Sequence, residues 1–548
     1  MHHLEESQNK HQCICTECGK RSYSDQLTFD FSSLFARELK NCCEEKSELA
    51  LVEKVINKWH NQHLGPTMLS EQDLIAWTQQ LEIKAAGKSS GILAFPGTAW
   101  TERVRKDSSF SELSKDESDS LEQIIAQKED ESYGMILETE ISYEKVDEGN
   151  TRISRVSLKS DDVKIPPIRY CPHCGGEMSF WSGRFPELVL TVVGGPRISK
   201  STALAACASY FLNHGPSYGV TWRGSEWDNS WTNFYSDCVE RYADNKRLDA
   251  TQTGDHAKIP HFSVLVSVKG VEGNPEKKLI LTVVDLPGEY DAGTGENGVD
   301  FDDNLRQEYG EFYQNVDCVW YCTDKAELEQ IDIEQENMER TRLTLGYDIG
   351  RKLIRTPKRV DKLGQYAALF RENIPAVFLL GKSDSFQEYD NASSLYQDHY
   401  SLTDCKWIYV PRNCSPVLLG RKYHEKARVL RNFLQQRNSK LVSGFENAFK
   451  ARTYIATSNY GHGFEEDGSS MNGLPLAPFQ TELPFLWILA VKGYLMVKDG
   501  QNENYAEEEK KSLTWKRLCL YDGLVDTYGI GEAAHRKRGI VDRVLGRR

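Results

Sequence analysis

The apolar stretch Leu188-Val189-Leu190-Thr191-Val192-Val193 runs directly into Gly194-Gly195-Pro196-Arg197-Ile198-Ser199-Lys200-Ser201-Thr202. A strand that opens into a glycine-led loop closed by Lys-Ser, with helix formers behind it, is typical of a phosphate-binding P-loop. Backbone N–H groups and the positive end of the helix would surround a β-phosphate. We therefore expect Lys200 to bind phosphate oxygens and Ser201 to ligate Mg²⁺. The predicted nucleotide-binding residues of this loop are Gly194, Gly195, Ser199, Lys200, Ser201 and Thr202.

One position departs from the usual P-loop pattern, because Ser199 stands where glycine is common. The missing glycine removes some freedom for close backbone approach to phosphate, although a short serine can fit. The alternative interpretation of this stretch is an ordinary strand-to-helix turn. The downstream sequence decides between the two.

A second strand-and-turn signal follows about 90 residues later, where Leu279–Val284 leads into Asp285-Leu286-Pro287-Gly288-Glu289. An aspartate in this position can contact Mg²⁺, and the N–H of Gly288 can sense a γ-phosphate. We expect Asp285 and Gly288 to belong to the same nucleotide site as the P-loop.

Two further strand ends predict recognition of the base. The apolar run 375–380 precedes Gly381-Lys382-Ser383-Asp384. This turn resembles the one in P-loop GTPases where a lysine stem lies on the guanine face and an aspartate accepts from the guanine N1–H and N2 amine. The run 454–461 ends in a small polar turn suited to backing the base. The predicted base-contacting residues are Lys382, Asp384 and Ser458.

The order of these four motifs resembles the translation-factor-related (TRAFAC) class of P-loop GTPases. A Cys-x-x-Cys-Gly knuckle at Cys171–Gly175 lies just ahead of the P-loop, Asp-x-x-Gly is followed by Glu289, and Thr457–Gly461 is followed by Pro478 and by the apolar run Leu483–Leu489. On these motifs, residues Arg169 to Leu495 are more narrowly similar to the bacterial double-GTPase family. The resemblance implies Mg²⁺-dependent binding and hydrolysis of GTP by a molecular switch in a bacterial multi-component system, in defence or membrane-linked regulation. Gly381 departs from the pattern, since Asn or Thr is usual there and ties this loop to the P-loop.

The catalytic assignment rests on Lys200, Glu289 and Thr251. Small GTPases carry a water-orienting glutamine where this chain has Glu289, and a second carboxylate near the γ-phosphate adds like-charge repulsion. Slow turnover is therefore as compatible with the sequence as efficient hydrolysis. Thr251 is the candidate switch threonine for Mg²⁺, with Thr253 and an ordinary polar loop as the alternatives.

Cysteines occur in two C-x-x-C-G knuckles, Cys15–Gly19 and Cys171–Gly175. Two such pairs supply the four thiolates of a structural zinc site. Their separation of about 150 residues exceeds that of a compact ribbon, so we predict a split zinc ribbon with ligands Cys15, Cys18, Cys171 and Cys174. Cys13 is an alternative ligand, and two unrelated cysteine pairs are the alternative interpretation.

We predict an α/β fold: a three-layer P-loop GTPase domain with a mostly parallel sheet, a split zinc ribbon and an inserted α+β domain. Helical spacing is expected within about 31–86, a connector or polar helix at 107–131, and strands from 133 to 165 with a hairpin near Gly149. The predicted divisions are 1–30 and 166–184 for the ribbon halves, 31–165 for the insert, 185–465 for the GTPase domain and 466–548 for a helical extension with a basic tail.

Composition bounds the function classes. The 548 residues carry a net charge of −14, which argues against broad binding to nucleic acid or anionic lipid. The first residues lack a signal-peptide pattern and no apolar run is long enough to span a bilayer, so we expect a cytoplasmic protein. The stretch Leu483 to Val497 is predicted to be a buried helix.

The predicted cofactors are GTP or GDP, Mg²⁺ and structural Zn²⁺. We expect a protein partner at the N-terminal region, while the short basic tail, His535–Arg538 and Arg547–Arg548, is compatible with peripheral membrane contact. The alternative function is a catalytically weak or inactive nucleotide-binding scaffold, whose zinc ribbon and insert bind a partner.

Overall fold

The computed structural model describes 11–70, 72–73, 78–79, 88–94, 104, 106–107, 112–126, 129–130, 134–147, 150–158, 164–165, 168–194, 200–248, 261–270, 276–285, 310–324, 328, 370–371, 374–383, 408–409, 417–460 and 475–498. These residues fall into two compact units. Unit 1 comprises Met1–Glu187 and unit 2 comprises Leu188–Arg548. The finer five-part division stays a prediction.

Unit 1 contains a six-stranded antiparallel sheet with the order β10-β9-β8-β6-β5, in which β7 also pairs with β8. The predicted hairpin near Gly149 is confirmed, because β8 and β9 pair across it as far as Asp147 and Asn150. Two smaller antiparallel pairs, β1-β2 and β3-β4, precede this sheet in the chain. The strands of unit 1 are β1 (Gln12–Ile14), β2 (Arg21–Tyr23), β3 (Thr28–Asp30), β4 (Met68–Ser70), β5 (Thr78–Gln79), β6 (Lys88–Ala94), β7 (Glu129–Asp130), β8 (Gly134–Asp147), β9 (Asn150–Leu158) and β10 (Lys164–Ile165).

The helices of unit 1 are α1 (Ser32–Lys40), α2 (Lys46–Gln62) and α3 (Lys115–Ala126). The apolar stripe of α2, which ends at Trp59, is buried in a core that it shares with α1 and α3. Segment α3 is a helix, as one of the two interpretations of the acidic stretch predicted, and it buries three apolar residues in this core. These residues are Leu121, Ile124 and Ile125.

One helical prediction in unit 1 is wrong. Thr78 and Gln79 form a strand that pairs with Leu93 and Ile92. The apolar spacing around this segment is compatible with a helix, but pairing with a neighbouring strand outweighs local periodicity.

Unit 2 is built on a seven-stranded mixed sheet with the order β12-β13-β14-β11-β15-β16-β19. The pairs β11-β15, β15-β16 and β16-β19 are parallel, whereas β12-β13 and β13-β14 are antiparallel. The predicted α/β class with a mostly parallel sheet is confirmed. The strands are β11 (Glu187–Val193), β12 (Val220–Arg223), β13 (His261–Val268), β14 (Lys277–Asp285), β15 (Cys318–Thr323), β16 (Ala376–Leu380) and β19 (Arg452–Ala456).

Three short strands form a separate sheet with the order β17-β18-β20, namely β17 (Ile408–Tyr409), β18 (Val417–Leu419) and β20 (Met496–Lys498). The helices of unit 2 are α4 (Lys200–Asn213), α5 (Gly215–Tyr218), α6 (Asn229–Phe234), a π-helix (Tyr235–Glu240), α7 (Arg241–Ala243), α8 (Gly420–Arg437), α9 (Ser439–Ala448) and α10 (Leu483–Val491).

Helix α10 is buried along its whole length, as predicted, but it ends at Val491 and not at Val497. The end of the predicted helix is instead strand β20, which pairs with β18 after the turn at Gly493, whose φ is +79°. Helix α10 belongs to the same core cluster as β11, β13 and the apolar residues of α4. Among the described residues, no helix combines the length and apolar character needed to cross a membrane. A short helix that is hydrophobic all round is expected in the core of a large domain.

Truncation of Trp487, the fully buried tryptophan of α10, should strongly destabilise unit 2. We expect Trp487→Ala to lower the free energy of unfolding by about 3–5 kcal/mol, because a large cavity is left in the core. Trp227→Ala is the matched control, since this tryptophan is 56% exposed. Urea midpoints of the two variants would measure the difference, and equal midpoints would contradict the assigned burial.

Glu482 directly precedes α10, and the pH dependence of stability at this residue tests how deeply this part of the core is buried. Burial raises the pKa of Glu482 to about 7. Because the folded pKa is raised, the neutral form stabilises the fold at low pH, and this contribution is lost as the pH rises through about 7. We therefore expect Glu482→Gln to be more stable than the parent above that pH, with the gain shrinking below it. Thermal melts across the pH range would measure this, and a gain independent of pH would contradict it.

Candidate functional site

Four of the predicted nucleotide-site residues that the structure describes lie at the carboxyl ends of strands in the seven-stranded sheet. Gly194 follows β11, Asp285 ends β14, Lys382 lies two residues after β16 and Ser458 lies two residues after β19. Because β11, β15, β16 and β19 are parallel, their carboxyl ends share one edge. Open α/β sheets bind ligands at this edge.

Gly194 begins the predicted phosphate loop in a conformation that favours glycine. Its φ is +145°, and a Cβ there would lie 2.5 Å from the carbonyl oxygen of Cys322 on β15. Lys200, the first residue of α4, donates from Nζ to the carbonyl oxygen of Gly194 at 2.9 Å. The lysine thus closes the loop between the strand and the helix, and its side chain is buried.

Ser201 and Asp285 join the loop to the neighbouring strand. The Oγ of Ser201 donates to Oδ2 of Asp285, which is 8% exposed. The other carboxylate oxygen, Oδ1, is buried and has no hydrogen-bond partner among the described residues. Burial raises the pKa of Asp285, while the Lys200 charge and the Ser201 hydrogen bond oppose this shift.

This local arrangement has the donor set that Mg²⁺ requires. A hydroxyl and a carboxylate both offer hard oxygen ligands. Mg²⁺ needs only one or two ligands from the protein when phosphate and water oxygens fill its other coordination positions. An unpartnered buried carboxylate oxygen is costly unless a cation or another donor completes it. Ser201 and Asp285 therefore fit the predicted magnesium position.

A second charged pair lies one strand further along the edge. Lys382 donates from Nζ to Oδ2 of Asp324 at 2.7 Å, and the Asp324 side chain is only 5% exposed. Lys382 has a φ of +50°, an unusual conformation for a residue with a side chain. Asp324 is a site residue that our sequence analysis missed. The available signal was its place directly after the buried strand β15.

The turn after β19 is held by backbone hydrogen bonds. The N–H of Ser383 donates to the carbonyl oxygen of Thr457 at 3.0 Å, which ties the turns after β16 and β19 together. Ser458 exchanges two backbone hydrogen bonds with Phe479, of 3.1 and 2.7 Å. The N–H of Ser458 is thus already hydrogen-bonded to the chain itself.

Three buried polar atoms near this turn have no hydrogen-bond partner among the described residues. They are Oγ of Ser383, Oγ1 of Thr457 and Oδ1 of Asn459. Orphaned buried polar atoms are uncommon and call for an explanation. Because they lie in the turns that follow β16 and β19, this edge is a candidate for a polar ligand.

Several predicted site residues lie outside the described part of the chain. These are Gly195, Ser199, Thr251, Gly288, Glu289 and Asp384. Thr202 is described as a half-buried residue in the first turn of α4. The structure thus brings Lys200, Ser201 and Asp285 together, and places Lys382 and Ser458 on the same edge of the sheet.

Unit 1 contains a cysteine cluster that joins the two sequence knuckles. The Sγ atoms of Cys15, Cys18, Cys171 and Cys174 all lie within 4.8 Å of one another. The Cys15–Cys174 and Cys18–Cys171 sulfurs are 3.6 and 3.8 Å apart. Sulfurs around a tetrahedral zinc ion, with bonds of about 2.3 Å, are about 3.8 Å apart. The cluster therefore fits a zinc ion.

The two knuckles have matching backbone geometry. Gly19 and Gly175 have φ values of +72° and +73°, and each donates its N–H to the carbonyl oxygen of the first cysteine of its knuckle at 2.9 Å. Two backbone N–H groups, from His173 and Gly176, point at the sulfurs of the second knuckle at 3.4 Å. Such N–H groups stabilise thiolates. The neighbouring Cys15 thiol lowers the pKa of Cys171, and the backbone N–H groups of His173 and Cys174 act in the same direction.

Comparisons with known proteins give only distant similarities. No protein-family model matches the chain, and no curated protein matches it. It is similar to the signal recognition particle receptor SRb-GTP/SRX complex from Chaetomium thermophilum, with 14% identity, a TM-score of 0.21, and coverage of 50% of this chain and 93% of that chain.

The GTPase-like domain of Ski7 from S. cerevisiae is similar in two structures. The one bound to GDP and inorganic phosphate has 12% identity, a TM-score of 0.20, and coverage of 59% of this chain and 52% of that chain. The one bound to GTP has 13% identity, a TM-score of 0.17, and coverage of 53% and 46%. The chain thus spans about half the length of the Ski7 chains. At these TM-scores, the fold assignment rests on the sheet and not on the comparisons.

Loss of one knuckle thiol should remove one metal ion from unit 1. We expect Cys171→Ser to contain one zinc equivalent less than the parent, because a closed site needs all four sulfur ligands. Cys42→Ser is the matched control, since Cys42 is half-buried and lies outside the cluster. Metal analysis of the purified proteins would measure this. Equal zinc content in Cys171→Ser and the parent would contradict it.

Proposed function

We propose that the chain is a Mg²⁺-dependent GTP-binding and GTP-hydrolysing switch. One observation carries this proposal: Lys200, Ser201 and the buried Asp285 meet where the predicted phosphate loop joins α4. A lysine and a hydroxyl at the start of the helix that follows one strand, together with a carboxylate at the end of the adjacent strand, are the groups that a P-loop GTPase uses for phosphate and metal.

The residues that would hold the phosphates and the metal follow from their positions. Lys200 would exchange its bond to the Gly194 carbonyl oxygen for a phosphate oxygen, which is a stronger, charge-assisted partner. Ser201 and Asp285 would hold Mg²⁺, which when bound neutralises charge on the phosphates. Gly195, Ser199, Thr202 and the N–H of Gly288 are proposed to line the phosphates.

Guanine selectivity is assigned to Lys382 and Asp384. The bond from Asp324 restrains the amine of Lys382, so that its aliphatic stem stays at the edge of the sheet. Asp384 would accept two hydrogen bonds from guanine, and adenine offers no matching donors. Ser458 is proposed to back the base through atoms other than its N–H, which Phe479 occupies.

Hydrolysis is assigned to Lys200, Glu289 and Thr251. Glu289 would orient the attacking water, and Thr251 would complete the metal coordination. A carboxylate at the water-orienting position repels the γ-phosphate, so we expect slow turnover. A switch of this kind orders its loops around the γ-phosphate and relaxes after hydrolysis.

The setting of the switch is part of the same proposal. We infer a cytoplasmic protein of a bacterial multi-component system that contacts a protein partner through unit 1, whose structural zinc is held by Cys15, Cys18, Cys171 and Cys174. The support for this setting is the resemblance of the sequence motifs and the clustering of the four thiols.

Titration with fluorescent GTP, GDP and ATP analogues in the presence of Mg²⁺ tests the proposal. We expect guanine-selective binding that weakens at least about tenfold in Lys200→Ala, because a hydrogen bond to a charged group contributes about 1.5–3 kcal/mol. Asp384→Ala should bind guanine and adenine nucleotides with similar, weaker affinity. Lys54→Ala and Asp119→Ala, both in exposed positions of unit 1, are the matched controls.

Two results would contradict the proposal in different ways. Binding of no nucleotide by the folded parent would remove the switch and favour a partner-binding scaffold. Equal binding of GTP and ATP by the parent would retain the phosphate site but remove the guanine assignment.

A further inference from the structure

A group of three metal-ligating side chains in unit 1 lies outside both sites described above. Asp30 ends β3, His60 lies in the last turn of α2, and His63 caps the same helix. One ligand atom from each lies within 4.8 Å of the other two. We propose that Asp30, His60 and His63 form a second metal site, which binds a divalent transition-metal ion such as Zn²⁺ or Co²⁺.

The carboxylate of Asp30 is held with one oxygen directed at both imidazoles. Its Oδ1 accepts from the N–H of Ser32 at 2.8 Å, which fixes the carboxylate plane. Its Oδ2 lies 2.5 Å from Nδ1 of His60 and 3.5 Å from Nδ1 of His63. Ligand atoms around a tetrahedral ion with bonds of about 2.0–2.1 Å are about 3.4 Å apart. Small side-chain movements would therefore suffice to admit the ion.

A hydrogen bond explains why His60 lies beside Asp30, but it does not explain the position of His63. One proton satisfies the short contact between Asp30 and His60, whereas the buried Nδ1 of His63 lies 3.5 Å from the same Oδ2 and makes no well-formed hydrogen bond to any described residue. A metal ion would accept the lone pair of this nitrogen. Without one, this buried nitrogen keeps only the long contact with Asp30.

The backbone and ring of His63 are both held in place. Its φ is +49°, in the left-handed region, where glycine or asparagine usually ends a helix. Its ring stacks on Tyr170 with centroids 4.0 Å apart and an angle of 15° between the planes. A side chain that is placed at a conformational cost and oriented by stacking is preorganised to act as a ligand.

The neighbouring cysteine cluster supports this location. Tyr170 immediately precedes Cys171, and its backbone pairs with Thr28 in β3 through hydrogen bonds of 2.8 and 3.1 Å. Gly175 of the second knuckle packs so closely on the end of α2 that a Cβ would lie 2.1 Å from the carbonyl oxygen of Gln62. The second knuckle and the residue before it thus pack against β3 and the end of α2, which carry the three ligands.

The ligand set defines the class of ion. Two imidazole nitrogens and one carboxylate oxygen suit borderline divalent ions of the first transition row, whereas Mg²⁺ and Ca²⁺ prefer oxygen ligands alone. Three protein ligands leave at least one coordination position for water or another group. The side chain of His60 is 58% exposed, so the site is open to solvent.

Cobalt substitution of the full chain separates the two sites in one experiment. Co²⁺ bound by four thiolates gives an intense sulfur-to-metal charge-transfer band, whereas Co²⁺ bound by imidazole and carboxylate gives only weak ligand-field bands. We expect the parent to bind two equivalents of Co²⁺ and to show both kinds of band.

The variants assign each equivalent to its ligands. His60→Ala and Asp30→Asn should each lose one equivalent and the weak bands while keeping the charge-transfer band. Cys171→Ser should show the reverse. His63→Asn tests the third ligand without demanding a new backbone conformation, because asparagine tolerates the left-handed region. His214→Ala, which changes a histidine in unit 2, is the control and should bind two equivalents.

Clear results would overturn the proposal. A parent that binds Co²⁺ only with the charge-transfer band has no second site. The same holds if His60→Ala and Asp30→Asn both retain two equivalents. Circular dichroism of the variants would show whether loss of metal reflects loss of ligands or loss of folding.

Discussion

The buried carboxylate of Asp285 is the constraint on which the candidate nucleotide site depends. Because β14 lies beside β11 in the sheet, Asp285 meets the first turn of α4 at Ser201. Burial makes its charge costly, and the Lys200 charge and the Ser201 hydroxyl only partly offset this cost. A divalent cation at the unpartnered Oδ1 would complete the group. In the proposed function, the site is organised around a buried charge that Mg²⁺ would neutralise.

Hydrogen bonds between neighbouring turns also organise this edge of the sheet. Backbone hydrogen bonds link successive strand ends, from Gly381 to Thr323 at 2.8 Å and from Ser383 to Thr457 at 3.0 Å. Asp324 directly follows β15, which lies between β11 and β16 in the sheet. Its carboxylate accepts a hydrogen bond from Lys382. Lys382 and Ser458, which are proposed to contact the base, therefore lie on turns that backbone hydrogen bonds hold to the sheet, and this would limit the conformational entropy lost on binding.

The strands of the sheet and the start of α4, with Lys200 and Ser201, could be predicted from the sequence because they depend on strong local signals. Continuous apolar strands that each deliver a polar turn identified β11, β14, β16 and β19, and the knuckle spacing identified all four thiols of the cysteine cluster. The choice of Cys15 over Cys13 agrees with the cluster, since Cys13 lies outside it.

The features that sequence reasoning missed depend on tertiary contacts. Asp324 follows a buried strand without any motif, and its role emerges only where it meets Lys382. Thr78 and Gln79 form a strand because β6 lies beside them, although the surrounding spacing favours a helix. Asp30, His60 and His63 are separated along the chain and form no recognisable pattern until β3 meets the end of α2.

A crystal structure of the chain with a non-hydrolysable GTP analogue and Mg²⁺ tests the central claim most directly. The account predicts that Nζ of Lys200 leaves the carbonyl oxygen of Gly194 for a phosphate oxygen, and that Mg²⁺ lies between Ser201 and Asp285. A structure in which the analogue binds elsewhere, while Lys200 remains on Gly194 and Ser201 remains on Asp285, would contradict it.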